Sequence, residues 1–580
     1  METPPPPIGP NTSKVSPDFC EIDTPLNLGR FAPYQREKTQ YATGYRLFWG
    51  RLTLWLVLFF CVCWVTLASG LFVFIKYQRG FSEVQYSHML LLPWKLDAYR
   101  HAKGEFLIKQ GLAQAEKQEW RAAFDLLRPG LLAVPDHLEA RLMVARIYLM
   151  AGRPDITRTT LLDGLQIHGN QVDYLREVFG YFFGLQADAT IIAVTQELLG
   201  HLDPQIPAAR MVSTALAYAY FNRANYAEAE AVLGKYRLLG TPEGRFVTAR
   251  IAWEKGQQAE SLAQLRELTA QVTGDTEIYR TFIYYLNERK LWGEVRRASW
   301  LRQLALPDQP TAYVDFIQAC GEEGDVAQQQ EAEGAFFERF KGNTQALLLL
   351  SESAAQKGRL EVCQRVAARC KELKSDDNDA VLLVLRAKLE AKDYKAVIEQ
   401  CIDLGAAVLK WPERQRLVLG GLRAVALYGL NQEAEAEPLV RRLWESRALP
   451  APILAALALQ VERVGHRAES RRILRQAIAV DPLNQPALVT LLRSSLKDDE
   501  LQDAPALIEK LLIMRNPPAE LLAELSQGLG SDRYMFLPER TGIQVAIAEF
   551  VREQKRRKTA KPETEPLERR LVDAEAGRTP

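Results

Sequence analysis

Residues Ala451 to Pro486 read APILAALALQVERVGHRAESRRILRQAIAVDPLNQP. Leu454, Leu457, Ala458 and Val461 recur at helical spacing and stop at Gly465; a second apolar stripe through Ala468, Ile473, Leu474 and Ala477 ends at Asp481-Pro482. This pattern predicts a helix hairpin. Neither helix can bury its stripe alone, so the unit has to stack on copies of itself, and a repeat period is the next thing to look for.

Copies run through most of the chain. Units start near Gly104, Leu138, Val172, Arg210, Pro242, Thr276, Pro310, Thr344, Asn378, Gln415, Ala451 and Gln485, and from Pro242 to Asn378 the spacing is 34 residues each time. Small residues recur where the two helices of a hairpin must approach: Gly111 and Ala123 in the first unit, Ala145 in the second, Ala217 and Ala229 in the fourth. Asn225-Tyr226-Ala227-Glu228-Ala229 opens a second helix, and Lys392-Asp393-Tyr394 repeats that opening. With the closing Ala-x-x-x-Asp-Pro of the Ala451 unit, these residues resemble the tetratricopeptide repeat family. Phe179, Ile283 and Leu385 are larger than the family pattern prefers, Gln329 is polar there, and an insertion surrounds Pro204.

The expectation is therefore an all-α fold: a solenoid of about twelve tetratricopeptide-like hairpins over 104–518, capping helices over 519–555, a disordered Pro-containing tail at 1–45 and a disordered charged tail at 556–580. The terminal helix carries a basic cluster, Arg552, Lys555, Arg556, Arg557, Lys558 and Lys561, read as a solvated helix end that could also touch anionic lipid or an acidic partner.

Ahead of the repeats, Leu52 to Ile75 reads LTLWLVLFFCVCWVTLASGLFVFI, without a charge. At ~1.5 Å per residue this covers the ~30 Å hydrocarbon layer, which predicts one transmembrane helix within 46–80 and a connector over 81–103. Tyr45, Arg46, Trp49 and Arg51 flank one side, and Lys76, Tyr77 and Arg79 the other, as interface anchors do. Basic residues in the short amino-terminal tail place that tail in the cytoplasm. The repeats then lie on the far, periplasmic side of a bacterial inner membrane.

The chain has 73 basic and 72 acidic residues, so no net field draws it to nucleic acid. Its seven cysteines show neither C-x-x-C spacing nor neighbouring histidines, and Cys363, Cys370 and Cys401 fall where the repeat wants small apolar residues. No phosphate-binding glycine loop, nucleophile elbow or metalloprotease motif is present, and the six histidines are dispersed. These readings point away from an enzyme, a cofactor and a metal. The family resemblance implies that partners bind a groove lined by first-helix positions one, four, eight and eleven places after each unit start. Carried over, these include Arg146, Tyr218, Phe221, Arg250, Trp253, Arg280, Tyr284, Asn287 and Arg386.

Two functional classes follow. One is a membrane-anchored scaffold that binds a protein or extended peptide within an envelope assembly, with arginines and aromatics as interface anchors. The other is a polysaccharide-binding accessory subunit of an export or synthesis complex, which aromatic platforms would favour. An uncharacterised enzyme would require a deep pocket with convergent carboxylates or histidines.

Overall fold

The computed structural model describes residues 21–23, 34–39, 42–78, 80–81, 84–92, 94–373 and 378–559. The chain divides into two units, Met1–Gly169 and Asn170–Pro580.

The turn inside each hairpin sets the architecture. A residue with positive φ stands between the two helices at 118, 152 and 186, at 224, at 256, 290, 324, 358 and 392, and at 431, 465 and 499. The 34-residue interval holds within each run. It stretches where the loop at 200–206 and the short 3₁₀ segment Gly405–Lys410 add residues, and it shortens by two between 224 and 256. Glycine fills five of these turns, including Gly465. The others carry side chains such as Lys290 and Asp499, which pay roughly 1–2 kcal/mol for the left-handed conformation.

First helices begin at Leu96, Leu138, Val172, Pro207, Pro242, Thr276, Pro310, Thr344, Asn378, Glu413, Ala451 and Gln485. The chain is thus an α-solenoid of tetratricopeptide-like hairpins. Side-chain caps fix several of these starts: the Asp275, Asn343 and Asn484 oxygens accept backbone N–H groups of the first turn. The first hairpin begins at Leu96 and not at Gly104. Asp97 supplies the first-turn carboxylate there, and the helix runs through Gly104 because a glycine is needed inside it: a Cβ at Gly104 would lie 2.6 Å from Val134 Cγ2.

The departures from the repeat pattern have local compensations. Gln329 is tolerated because Gly321 of the preceding helix leaves room; a Cβ there would come within 2.5 Å of Gln329 Nε2. Phe179, Ile283 and Leu385 are buried and fill space between helices. Cys320, Cys363 and Cys370 are likewise buried, and burial pushes the Cys363 thiol up.

The array ends on helices Ala519–Leu529 and Arg540–Thr559. Leu521, Leu522, Leu525, Ile543 and Ile547 extend the last apolar core, and buried Tyr534 ties the cap down by donating to the Asp499 carbonyl at 2.5 Å.

In the first unit, helix Trp49–Val73 continues as a π-helical turn over Phe74–Gln78. It is the one helix among the described residues long and apolar enough to cross a membrane, with a mean hydropathy of 2.5 in its most apolar window. Its carboxyl-terminal half carries a collar. Trp64 Nε1 donates to the Leu90 carbonyl at 2.7 Å, Ser69 Oγ and the Tyr86 hydroxyl are 2.9 Å apart, and Val84 and Met89 pack on Ala68 and Ile75. The connector is therefore not featureless: it holds helix Tyr86–Leu90, and Phe81 stacks on Phe106 of the first hairpin at 4.2 Å.

Within the tail expected to lack regular structure, three short strands form an antiparallel sheet: β1 (Glu21–Asp23), β2 (Tyr34–Thr39) and β3 (Ala42–Leu47). The register pairs Tyr34 with Leu47 and Thr39 with Ala42. The remainder of that tail, Arg79, and 560–580 of the charged tail lie outside the described residues.

Candidate functional site

The first helices of successive hairpins line one face of the solenoid, and two stretches of it differ in how their large side chains are used. In the stretch formed by Pro207–Asn222, Pro242–Glu254 and Thr276–Glu288, Arg250 is the centre. Its guanidinium carbon lies 4.4 Å from the Phe221 ring centroid, 5.5 Å from Phe246 and 5.9 Å from Tyr218. Glu277 is 3.9 Å away. Trp253 lies flat on Tyr285, with centroids 4.0 Å apart and planes 2° from parallel.

This packing removes groups that sequence reasoning placed in the groove. Phe221 is 4% exposed and Trp253 8%, because each is covered by an aromatic or cationic neighbour from the adjoining helix. Burial pushes the Tyr285 hydroxyl up to about 12, with Arg250 pulling the other way, and burial followed by the Glu277 charge raises Tyr218. Tyr218, Phe221, Arg250 and Trp253 are therefore brought together in one cluster, with Phe221 and Trp253 buried and Tyr218 and Arg250 half-buried. Tyr284 remains 62% exposed; Arg280 is exposed and Asn287 half-buried. Arg146 is exposed on helix Leu138–Met150 of the first unit.

Arg386 belongs to the other stretch. Helices Thr344–Gln356, Asn378–Glu390, Glu413–Gly429 and Ala451–Arg463 together line a hollow of about 520 Å³. Leu348, Leu349, Leu382, Leu383, Val418 and Ile453 make its apolar wall; Arg386, Arg414, Glu352, Asp379 and Gln460 supply polar groups. Gln415 is held in place by accepting from Asn378 and donating to Asp379, each at 3.0 Å. Two polar atoms at the hollow are buried with no hydrogen-bond partner: Gln460 Oε1, on a residue 8% exposed, and Arg386 Nε. Beyond the hollow, Arg463 reaches past the intervening repeat to Glu390 with contacts of 2.8 and 2.9 Å, which draws alternate first helices together.

Sequence reasoning missed the leucines here because they look like core. A signal existed in the runs ALLLLS at 346–351 and VLLVL at 381–385, which hold more apolar positions than one buried stripe requires. Leu348 and Leu382 also stand four places after their unit starts, at a groove position.

A further polar cluster is closed to ligand. Tyr279 donates to Asp315 Oδ2 at 2.8 Å and lies 3.1 Å from Ser299 Oγ, while Arg302 covers its ring at 4.3 Å. Burial pushes the Asp315 carboxyl up to about 6, against the pull of the Tyr279 hydroxyl and the Arg302 charge. Among the described residues no group of three or more His, Cys, Asp or Glu side chains is placed to hold a metal ion.

No protein-family model matches the chain, and no curated relative matches it. Similar solved structures include Naa15/Naa10 bound to HypK-THB, with 14% identity over 86% of this chain and 80% of that one and a TM-score of 0.24. The Cut9–Hcn1 hetero-tetramer of the APC/C matches with 10% identity over 74% and 98% and a TM-score of 0.25. Yeast Tom70 matches with 11% identity over 82% and 99% and a TM-score of 0.27. Scores this low carry nothing about function to this chain.

Proposed function

We propose that the protein is a membrane-anchored scaffold that holds a protein partner by a segment laid along the first-helix face, with apolar side chains of that segment seated in the hollow between Thr344 and Arg463. The observation that carries this reading is the hollow itself. An open apolar wall from four successive repeats, with the Arg386, Arg414 and Glu352 side chains in its lining, suits a segment that supplies both aliphatic and polar groups.

The anchor is the Trp49–Gln78 helix. Its apolar exposed flank, Leu54, Leu56, Phe59, Phe60 and Val62, has no water-soluble use, and a bilayer would cover it. Lys and Arg in the short segment before it favour an amino terminus in the cytoplasm and repeats on the opposite side, as part of an envelope assembly. A polysaccharide ligand would want open aromatic faces. Trp253 is covered by Tyr285, so that reading rests on Tyr284.

The test is a double substitution, Leu383→Glu with Ile453→Glu, in the full-length chain, followed by affinity capture from the native membrane. Loss of captured proteins with an unchanged helical circular dichroism signal is expected. Unchanged capture would remove the hollow from partner binding.

A further inference from the structure

The second unit returns on itself. Asp188 opens helix Asp188–Leu199 near its beginning, and Arg515 follows helix Ala504–Leu512 near its end, yet Arg515 Nε and Nη2 each lie 2.8 Å from an Asp188 carboxylate oxygen. The contact joins residues 327 apart in sequence. The Asp188 side chain is 4% exposed and also accepts from Asn222 Nδ2 at 2.9 Å, while the Arg515 guanidinium sits 5.7 Å from the Phe183 ring centroid. A buried carboxylate with a bidentate arginine and an amide donor is a fully partnered site, not a chance surface pair.

A further contact crosses the same seam. Arg557 Nη1 donates to the Arg223 carbonyl at 2.8 Å, over 334 residues. A member of the basic cluster at the end of the chain thus faces the seam.

The apolar core that holds the terminal repeats runs from Leu382 to Val551 and includes no residue of 172–235, while residues from Ile192 to Ile251 belong to another. The contacts of Arg515 and Arg557 across the seam are polar. Hydrogen-bonded charge pairs are directional, and they can be made and broken without exposing a large apolar surface. The arginine is also presented on a stiff support, since Asn516 has a left-handed backbone (φ 46°) and Pro517-Pro518 follow.

We propose that Asp188, Asn222 and Arg515 form a reversible latch that holds the beginning and the end of the second unit's repeats together.

The experiment measures the seam directly in the full-length protein. Nitroxide labels are placed at Leu185→Cys and Ile513→Cys, with Cys20, Cys61, Cys63 and Cys401 replaced by serine, and their separation is read by pulsed electron paramagnetic resonance. A single short, narrow distance is expected for the parent protein. Arg515→Ala is expected to raise the long-distance fraction at least tenfold, and the reversed pair Asp188→Arg with Arg515→Asp to bring the short distance back. Should Arg515→Ala fail to fold by circular dichroism, Asn222→Ala, which keeps the charge pair, carries the test and is expected to increase the long-distance fraction. A parent distribution that is already broad, or one that none of these changes moves, overturns the latch.

Discussion

The repeats between Pro207 and Glu288 and those between Thr344 and Arg463 present their first helices to the same face but use their large side chains in opposite ways. In the earlier stretch the aromatics and Arg250 are turned on one another: Phe221 and Trp253 are buried, and Arg250 is surrounded by three rings. In the later stretch, leucines exceed what hairpin packing consumes, and the surplus lines a hollow. Residue types that often dominate interfaces are here packed into the fold, and leucines of the kind that fill cores stand half-buried around a hollow. Composition at a groove position says less than whether the neighbouring repeat supplies a side chain to cover it.

The comparison breaks most visibly at Trp253. Trp253→Ala is expected to destabilise the array by about 3–5 kcal/mol, since it removes a fully stacked ring, whereas Leu383→Ala in the half-buried wall should cost far less. Denaturant unfolding monitored by circular dichroism compares the two. Equal losses would mean that the hollow is as well packed as the aromatic cluster.

Asp315 probes the buried polar cluster beside the aromatic stretch. Its folded-state pKa of about 6 lies above its ordinary 3.8, so the folded state holds the proton more tightly and stability falls as pH rises through this window. The total penalty is roughly 3 kcal/mol, present in full above about pH 6 and absent below about pH 4. Asp315→Asn should remove this contribution, so that stability falls more steeply, or rises less, across the window in the parent than in the variant. Equal slopes in the two proteins between those pH values would contradict the assignment.

Leu383→Glu sharpens the comparison from the binding side. It should weaken partner capture at least tenfold, with a midpoint of thermal unfolding close to that of the parent, while Tyr284→Ala in the other stretch leaves capture within a factor of two. The smallest effect concerns the turns. Lys290 holds φ at 56°, and Lys290→Gly should raise stability by about 1 kcal/mol by removing the left-handed penalty; no gain would show that the lysine side chain contributes contacts that offset its strain.

Much of the fold was legible in the sequence because its signals are local. The helix period, the small residues at hairpin crossings and the turn between paired stripes are each set within one repeat, so Ala451–Pro486 could stand for the rest. Even the turns without glycine, such as Lys290 and Asp499, kept the interval because the stripes on either side fixed it. The site was less legible because cover comes from outside the repeat. Trp253 looks the same in sequence whether or not Tyr285 of the next helix lies on it. Arg386 was found, but the leucines beside it were not, since a leucine at a groove position and a leucine in a core carry the same pattern. The contact from Asp188 to Arg515 lies beyond any periodic reading, for no local rule relates residues 327 apart.

The central claim is that the first-helix face is filled in one stretch and open in the other. A photo-crosslinking amino acid placed in the full-length protein at Leu383 in one sample and at Tyr284 in another, irradiated in the native membrane, tests it most directly. Protein adducts at Leu383 with few at Tyr284 are predicted. Strong adducts at Tyr284 and none at Leu383 would contradict the account.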